Sequence, residues 1–150
     1  MRGVTLAVSV AGIALSLLIL LTPAPTHPAP APATTIDLSL LVTTEGSIGG
    51  PALRHLYDPQ LMVVRRGDTV HLRVINQSFY RHGIEIVGYG VRTGPLTGGE
   101  QASEVLTFVA DKPGIFVYRC YLPYDPATAT CSPDHDTMIG HLVVIDAGNR

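Results

Sequence analysis

Gln60-Leu-Met-Val-Val-Arg-Arg-Gly-Asp-Thr-Val-His-Leu-Arg-Val-Ile75 decides the fold. In its second half Val70, Leu72 and Val74 alternate with polar or charged neighbours. That period of two gives an extended segment one apolar and one wet face. Gly67-Asp68 is a turn dipeptide, and it separates this run from the apolar run Leu61-Met-Val-Val64. Outward from here the pattern recurs. Ile36 to Val42, His82 to Val87, Ser103 to Ala110, Ile115 to Cys120 and Met138 to Ile145 all read as strands. In the run from Ser103, Leu106 and Phe108 share one face, with Val105, Thr107 and Val109 on the other. Asp111-Lys-Pro-Gly114 is a strong turn. Gly88 to Gly99 is a glycine-rich connection, and Gly49-Gly50-Pro51 to Asp58-Pro59 reads as a loop. Helical periodicity is absent from Ile36 onward. Seven or eight short strands predict an all-β, two-sheet Greek-key sandwich.

Composition narrows the function classes. The chain has 150 residues, a net charge of −2 and only 15% charged residues, so it offers no basic face for nucleic acid. The 15 Gly and 12 Pro suit many strands joined by turns. Residues 3–21 carry no charge and match the roughly 20 apolar residues that span a bilayer. A Pro/Ala-rich linker, residues 22–35, follows as a stiff extended spacer. The organisation expected is therefore a membrane anchor or signal segment over 1–21, the linker, and one domain over 36–150. Ala31-Pro32-Ala33 resembles a cleavage site, so two readings stay open: a single-pass protein of the cell membrane, or a secreted one. In both, Arg2 keeps the N-terminal end in the cytoplasm and puts the domain on the extracytoplasmic face.

Chemistry concentrates near the C-terminus. Cys120, Cys131, His135 and Met138 fall within 19 residues, with Cys131-x-x-x-His135-x-x-Met138 on a loop between two strands. Thiolate, imidazole and thioether are soft or borderline donors that select copper over magnesium, calcium or manganese. A further imidazole, His82, opens a strand upstream. A zinc site would leave Met138 without a role, and a disulfide between the two cysteines would use neither His135 nor Met138. No nucleophile–base pair marks a catalytic residue, so chemistry beyond electron transfer is not implied.

These residues carry a resemblance. Asp58 to Ile145 resembles the dinuclear copper (CuA) domain of cytochrome c oxidase subunit II, especially the bacterial type with a single N-terminal helix. The matching pieces are Leu61-Met-Val-Val-Arg-Arg-Gly-Asp-Thr-Val70, His82-Gly-Ile-Glu-Ile86, Phe108-Val-Ala-Asp-Lys-Pro-Gly-Ile-Phe-Val-Tyr-Arg-Cys120 and Cys131-Ser-Pro-Asp-His-Asp-Thr-Met-Ile-Gly140. The resemblance implies a cupredoxin-like sandwich and a respiratory electron-transfer role. It implies His82 and His135 as terminal nitrogen ligands, Cys120 and Cys131 as bridging thiolates and Met138 as weak axial ligand. Implied partners are a redox protein such as a c-type cytochrome or cupredoxin, a haem-copper oxidase core subunit, and the membrane. The chain departs from the family in two places. Ten residues, Tyr121 to Thr130, separate the cysteines where the family has three, and there is no Trp for the usual electron entry. Tyr80, Tyr89, Tyr121 and Tyr124 are the substitutes at hand. A mononuclear blue-copper site, a copper-holding or delivery protein and a disulfide-stapled binding module remain alternatives. Asp134 and Asp136, flanking His135, are candidate acceptors for its ring.

Overall fold

The computed structural model describes residues 32–46, 53–99 and 102–146. Among the described residues nine strands run in the order β1 (Thr35–Glu45), β2 (Arg54–Asp58), β3 (Leu61–Arg65), β4 (Thr69–Asn76), β5 (Ile84–Ile86), β6 (Val91–Arg92), β7 (Ser103–Val109), β8 (Gly114–Cys120) and β9 (Ile139–Ile145). They form a four-stranded sheet, β2-β1-β4-β7, and a five-stranded sheet, β3-β9-β8-β5-β6. β1 runs parallel to β4, and β3 parallel to β9. The other pairings are antiparallel.

The alternation in the sequence sets which side of each strand is dry. Val70, Leu72 and Val74 of β4 are buried, as are Leu106 and Phe108 of β7. Register lines them up: Leu38, Leu72 and Leu106 are cross-strand neighbours, as are Ile36, Val70 and Phe108. On the second sheet, Met62, Leu142 and Phe116 make the equivalent row. A one-residue slip would turn each row to solvent, so the apolar pattern fixes the register. Both sheets contribute to one core, in which Tyr57 and Tyr118 meet edge-on at 5.5 Å. The Tyr118 ring packs against Gly140, where a Cβ would overlap it.

The Gly67-Asp68 turn joins β3 to β4. The Asp68 carboxylate is 2% exposed and accepts from the backbone N–H of Arg65 and from the N–H and hydroxyl of Thr34. It thereby ties the start of β1 to the turn. Burial alone would raise its pKa, but these donors hold it below the ordinary 3.8.

Two expectations are corrected. The segment from Gly49 to Pro59, expected as a loop, contains β2, whose five residues pair with Leu41–Glu45 of β1. Its inward residues are His55 and Tyr57, so the strand has no aliphatic alternation to reveal it. The glycine-rich connection contains β6, two residues paired with β5. The apolar run over 3–21 and most of the linker lie outside the described residues. Among the described residues no helix is long and apolar enough to cross a membrane.

Candidate metal centre

Strand direction assembles the site. β5 and β9 both pair antiparallel with β8, with Ile84 opposite Cys120 and Arg119 opposite Ile139. The start of β5, the end of β8 and the start of β9 therefore share one end of the five-stranded sheet. His82 precedes β5, Cys120 ends β8, and Cys131 to Met138 leads into β9. Sequence reasoning placed His82 about 40 residues from the other donors along the chain; antiparallel pairing removes that separation.

The two sulfurs are 3.5 Å apart as free thiols, and both cysteines are buried. Ligand atoms of His82, Cys120 and Cys131 lie within 4.8 Å of one another. His135 brings Nδ1 to 2.9 Å from the Cys131 sulfur. Met138 is fully buried, and the Ser132 hydroxyl donates to its sulfur at 3.6 Å. The structure thus brings His82, Cys120 and Cys131 into mutual reach, sets His135 against the Cys131 sulfur, and puts Met138 on the same short segment.

The ten-residue separation is accommodated as an outward excursion. Asp125 and Thr130 exchange backbone hydrogen bonds and close its base, and a single 3-10 turn, Pro126–Thr128, forms the tip. The Asp125 side chain caps that turn through Ala127 N–H. Arg81 N–H donates to Ala129, and Cys131 N–H returns to Arg81. Cys131 itself takes a left-handed backbone, φ 54°. Such a conformation costs a non-glycine residue about 1–3 kcal/mol and persists only where its surroundings fix it.

His82 is fully buried. Its Nε2 meets the Ser78 hydroxyl at 3.1 Å, and its Nδ1 is buried without a partner. Ser78 is in turn held by Asn76, whose amide donates to the carbonyls of Tyr80, Leu96 and Thr97 and whose oxygen accepts Ser78 N–H. A tautomer that donates Nε2–H to Ser78 would put the lone pair on Nδ1. Gly83 follows because the Tyr121 ring lies where its Cβ would be.

The thiols are unequal. Contact with the Cys131 thiol holds Cys120 down to about 4, against the desolvation of burial, with help from His82 and the N–H groups of Gly83 and Leu122. Cys131 is pushed far up by the same contact, by burial and by the Cys120 charge.

The flanking acids do not orient His135 as expected. Asp134 turns to His55: its two oxygens meet His55 N–H at 2.6 Å and Nδ1 at 2.9 Å. Asp136 is exposed. His55 is the site neighbour that the sequence did not reveal. The available signal was the inward phase shared by His55 and Tyr57 two residues apart. His71 pairs with Asp37 on the far sheet, and His141 is exposed.

No protein-family model matches the sequence, and no curated protein matches it. Solved structures do match by shape. The multicopper oxidase mgLAC matches with TM-score 0.55 and 21% identity over 76% of this chain and 39% of its own. A copper nitrite reductase from Nitrosomonas europaea gives 0.54 and 24% over 75% and 42%. A multi-copper oxidase from Pseudomonas thermotolerans gives 0.57 and 18% over 79% and 31%. The chain spans about a third to two-fifths of these neighbours' length. The likeness defines the fold as a cupredoxin-like β-sandwich.

Proposed function

We propose that this chain is a copper-binding electron-transfer domain in which His82, Cys120, Cys131, His135 and Met138 hold the metal. One observation carries the reading: two unbonded sulfurs stand 3.5 Å apart beside a buried imidazole whose Nδ1 has no partner. A buried, unsatisfied nitrogen is costly, and a metal bond is the partner this donor set offers. Thiolate, imidazole and thioether together fit copper. The neighbours' names, two multicopper oxidases and a copper nitrite reductase, agree with that metal.

Bound copper supplies a centre that moves one electron between Cu(I) and Cu(II) states. The chain's own residues do the rest. Ser78 orients the His82 ring, burial of Cys131 and Met138 shields their sulfurs from water, and the strands would keep the donors in place while copper changed oxidation state.

The finer reading is a dinuclear, CuA-like centre of the cytochrome c oxidase subunit II kind. Its support is the side-by-side placement of the two sulfurs, which bridging thiolates require. On this reading the apolar N-terminal segment tethers the domain to the extracytoplasmic face of the membrane. A c-type cytochrome or a cupredoxin donates electrons and an oxidase core subunit accepts them. Phe79, 82% exposed and three residues before His82, is the exposed aromatic nearest to His82 in sequence and a candidate entry point in place of the missing Trp.

The test is copper per chain and the EPR spectrum of the oxidised full chain in detergent. Two coppers with a seven-line pattern support the CuA-like centre. One copper with a narrow four-line pattern assigns a mononuclear blue site and retires the bridge. Absence of copper binding with free thiols sinks the proposal.

A further inference from the structure

The geometry points to His55 as the positioning residue of the candidate centre, holding the two ligand-bearing parts at a fixed separation before metal arrives; this rests on the metal-site reading above. The residue belongs to β2, an edge strand of the sheet that supplies no ligand. From there it touches both sides of the site. Its ring stacks at 5.7 Å, tilted by 42°, against the ring of His82. Its backbone N–H and Nδ1 take both oxygens of Asp134, immediately before His135. Tyr80 meets it edge-on at 5.2 Å, which leaves the His55 ring little room to turn.

The loop depends on that grip. From Cys131 to Met138 the segment carries three of the five donors, and its regular structure is one 3-10 turn, His135–Thr137. Inside the segment, Thr137 bonds the Asp134 carbonyl through N–H and hydroxyl, and Ser132 bonds Met138. These contacts hold the segment to itself. Across to the first sheet, Asp134 is its hydrogen-bonded tie. His55 is 4% exposed and the Asp134 side chain 22%, so the pair is shielded from competing water. A bidentate, charge-assisted grip of this kind is stronger and more directional than a single neutral bond. His55 touches neither thiol through a hydrogen bond, so its effect on the donors passes through His82 and Asp134.

Three variants of the full chain in detergent test this: His55→Leu, which keeps bulk but loses the ring donor, His55→Asn, which keeps an N–H near the Nδ1 position, and Asp134→Ala. The first readout is the rate at which the metal-free thiols react with an aromatic disulfide reagent, since buried thiols react through local opening. Loss of a hydrogen bond to a charged group predicts a rise of about ten- to a hundredfold for His55→Leu and Asp134→Ala. His55→Asn should stay within about threefold of the parent. The second readout is the thiolate-to-copper visible band and EPR hyperfine pattern of the copper-loaded chains. These should change in His55→Leu and Asp134→Ala and return to the parental pattern in His55→Asn. Parental thiol rates in Asp134→Ala overturn the inference, as does failure of His55→Asn to restore the spectrum. If His55→Leu does not fold, Asp134→Ala, altered at a partly exposed loop position, decides alone. A parent chain that takes up no copper refutes the proposed function, while the thiol rates still judge the His55 grip.

Discussion

Asp68 shows how one carboxylate organises a turn. Three donors converge on it, two of them from Thr34 at the entry to β1. Its pKa in the folded state lies below the ordinary 3.8 of an unfolded carboxylate. Its contribution is therefore complete above the ordinary range and is lost as pH falls through 3.8 toward the folded value. Asp68→Asn should lower stability at neutral pH and flatten the acid limb of a Tm-against-pH curve. An unchanged acid limb would show that other groups control it. Gly140 is the second case. A methyl there overlaps the buried Tyr118 ring, whose hydroxyl is already bound to the Pro59 carbonyl. Overpacking of this kind costs about 1–3 kcal/mol, so Gly140→Ala should reduce Tm by about 5–15 °C in thermal unfolding.

At the scale of elements, β4 and β7 were legible because each buries one face and exposes the other, and a period of two survives in the residue types. β2 was not legible because its inward positions are His55 and Tyr57, chosen for what they meet across the sandwich. β6 is two residues long and has no pattern to show. The candidate donors could be named from residue type and spacing. Their convergence could not, because it follows from which strands pair. The same applies to Asp134, whose partner lies 79 residues away in sequence. The tip of the excursion is closed by the Asp125–Thr130 pair, and Arg81 ties its Ala129 end to the site, so the side chains of the Pro126–Thr128 turn should act little on the sulfurs. Asp125→Ala removes the cap from the Pro126–Thr128 turn. It should leave copper per chain unchanged and lower stability by about 0.5–2 kcal/mol, the usual cost of losing a capping side chain. A drop in bound copper would instead show that the tip props the site.

At the scale of the molecule, the candidate donors come from strand ends and connections of the five-stranded sheet, and the other sheet reaches their surroundings through His55 of β2 and through Asn76 at the end of β4. A ligand that binds this folded arrangement and not the unfolded chain adds stability with its concentration. Copper at a hundredfold excess over its Kd should contribute about 2.7 kcal/mol, a rise in Tm of about 10–20 °C for a domain of this size. A chelator should reverse it. Identical melting curves with and without copper would mean that the metal does not engage the folded site. The excursion from Tyr121 to Thr130 has a practical corollary. Because its base is sealed and its tip, Pro126 to Ala129, is exposed, a foreign peptide can be spliced there without passing through the core. A surface-binding tag inserted at that point would seat the chain on an electrode with its sulfur-bearing end facing the conductor, turning the insertion into a handle for wiring the protein.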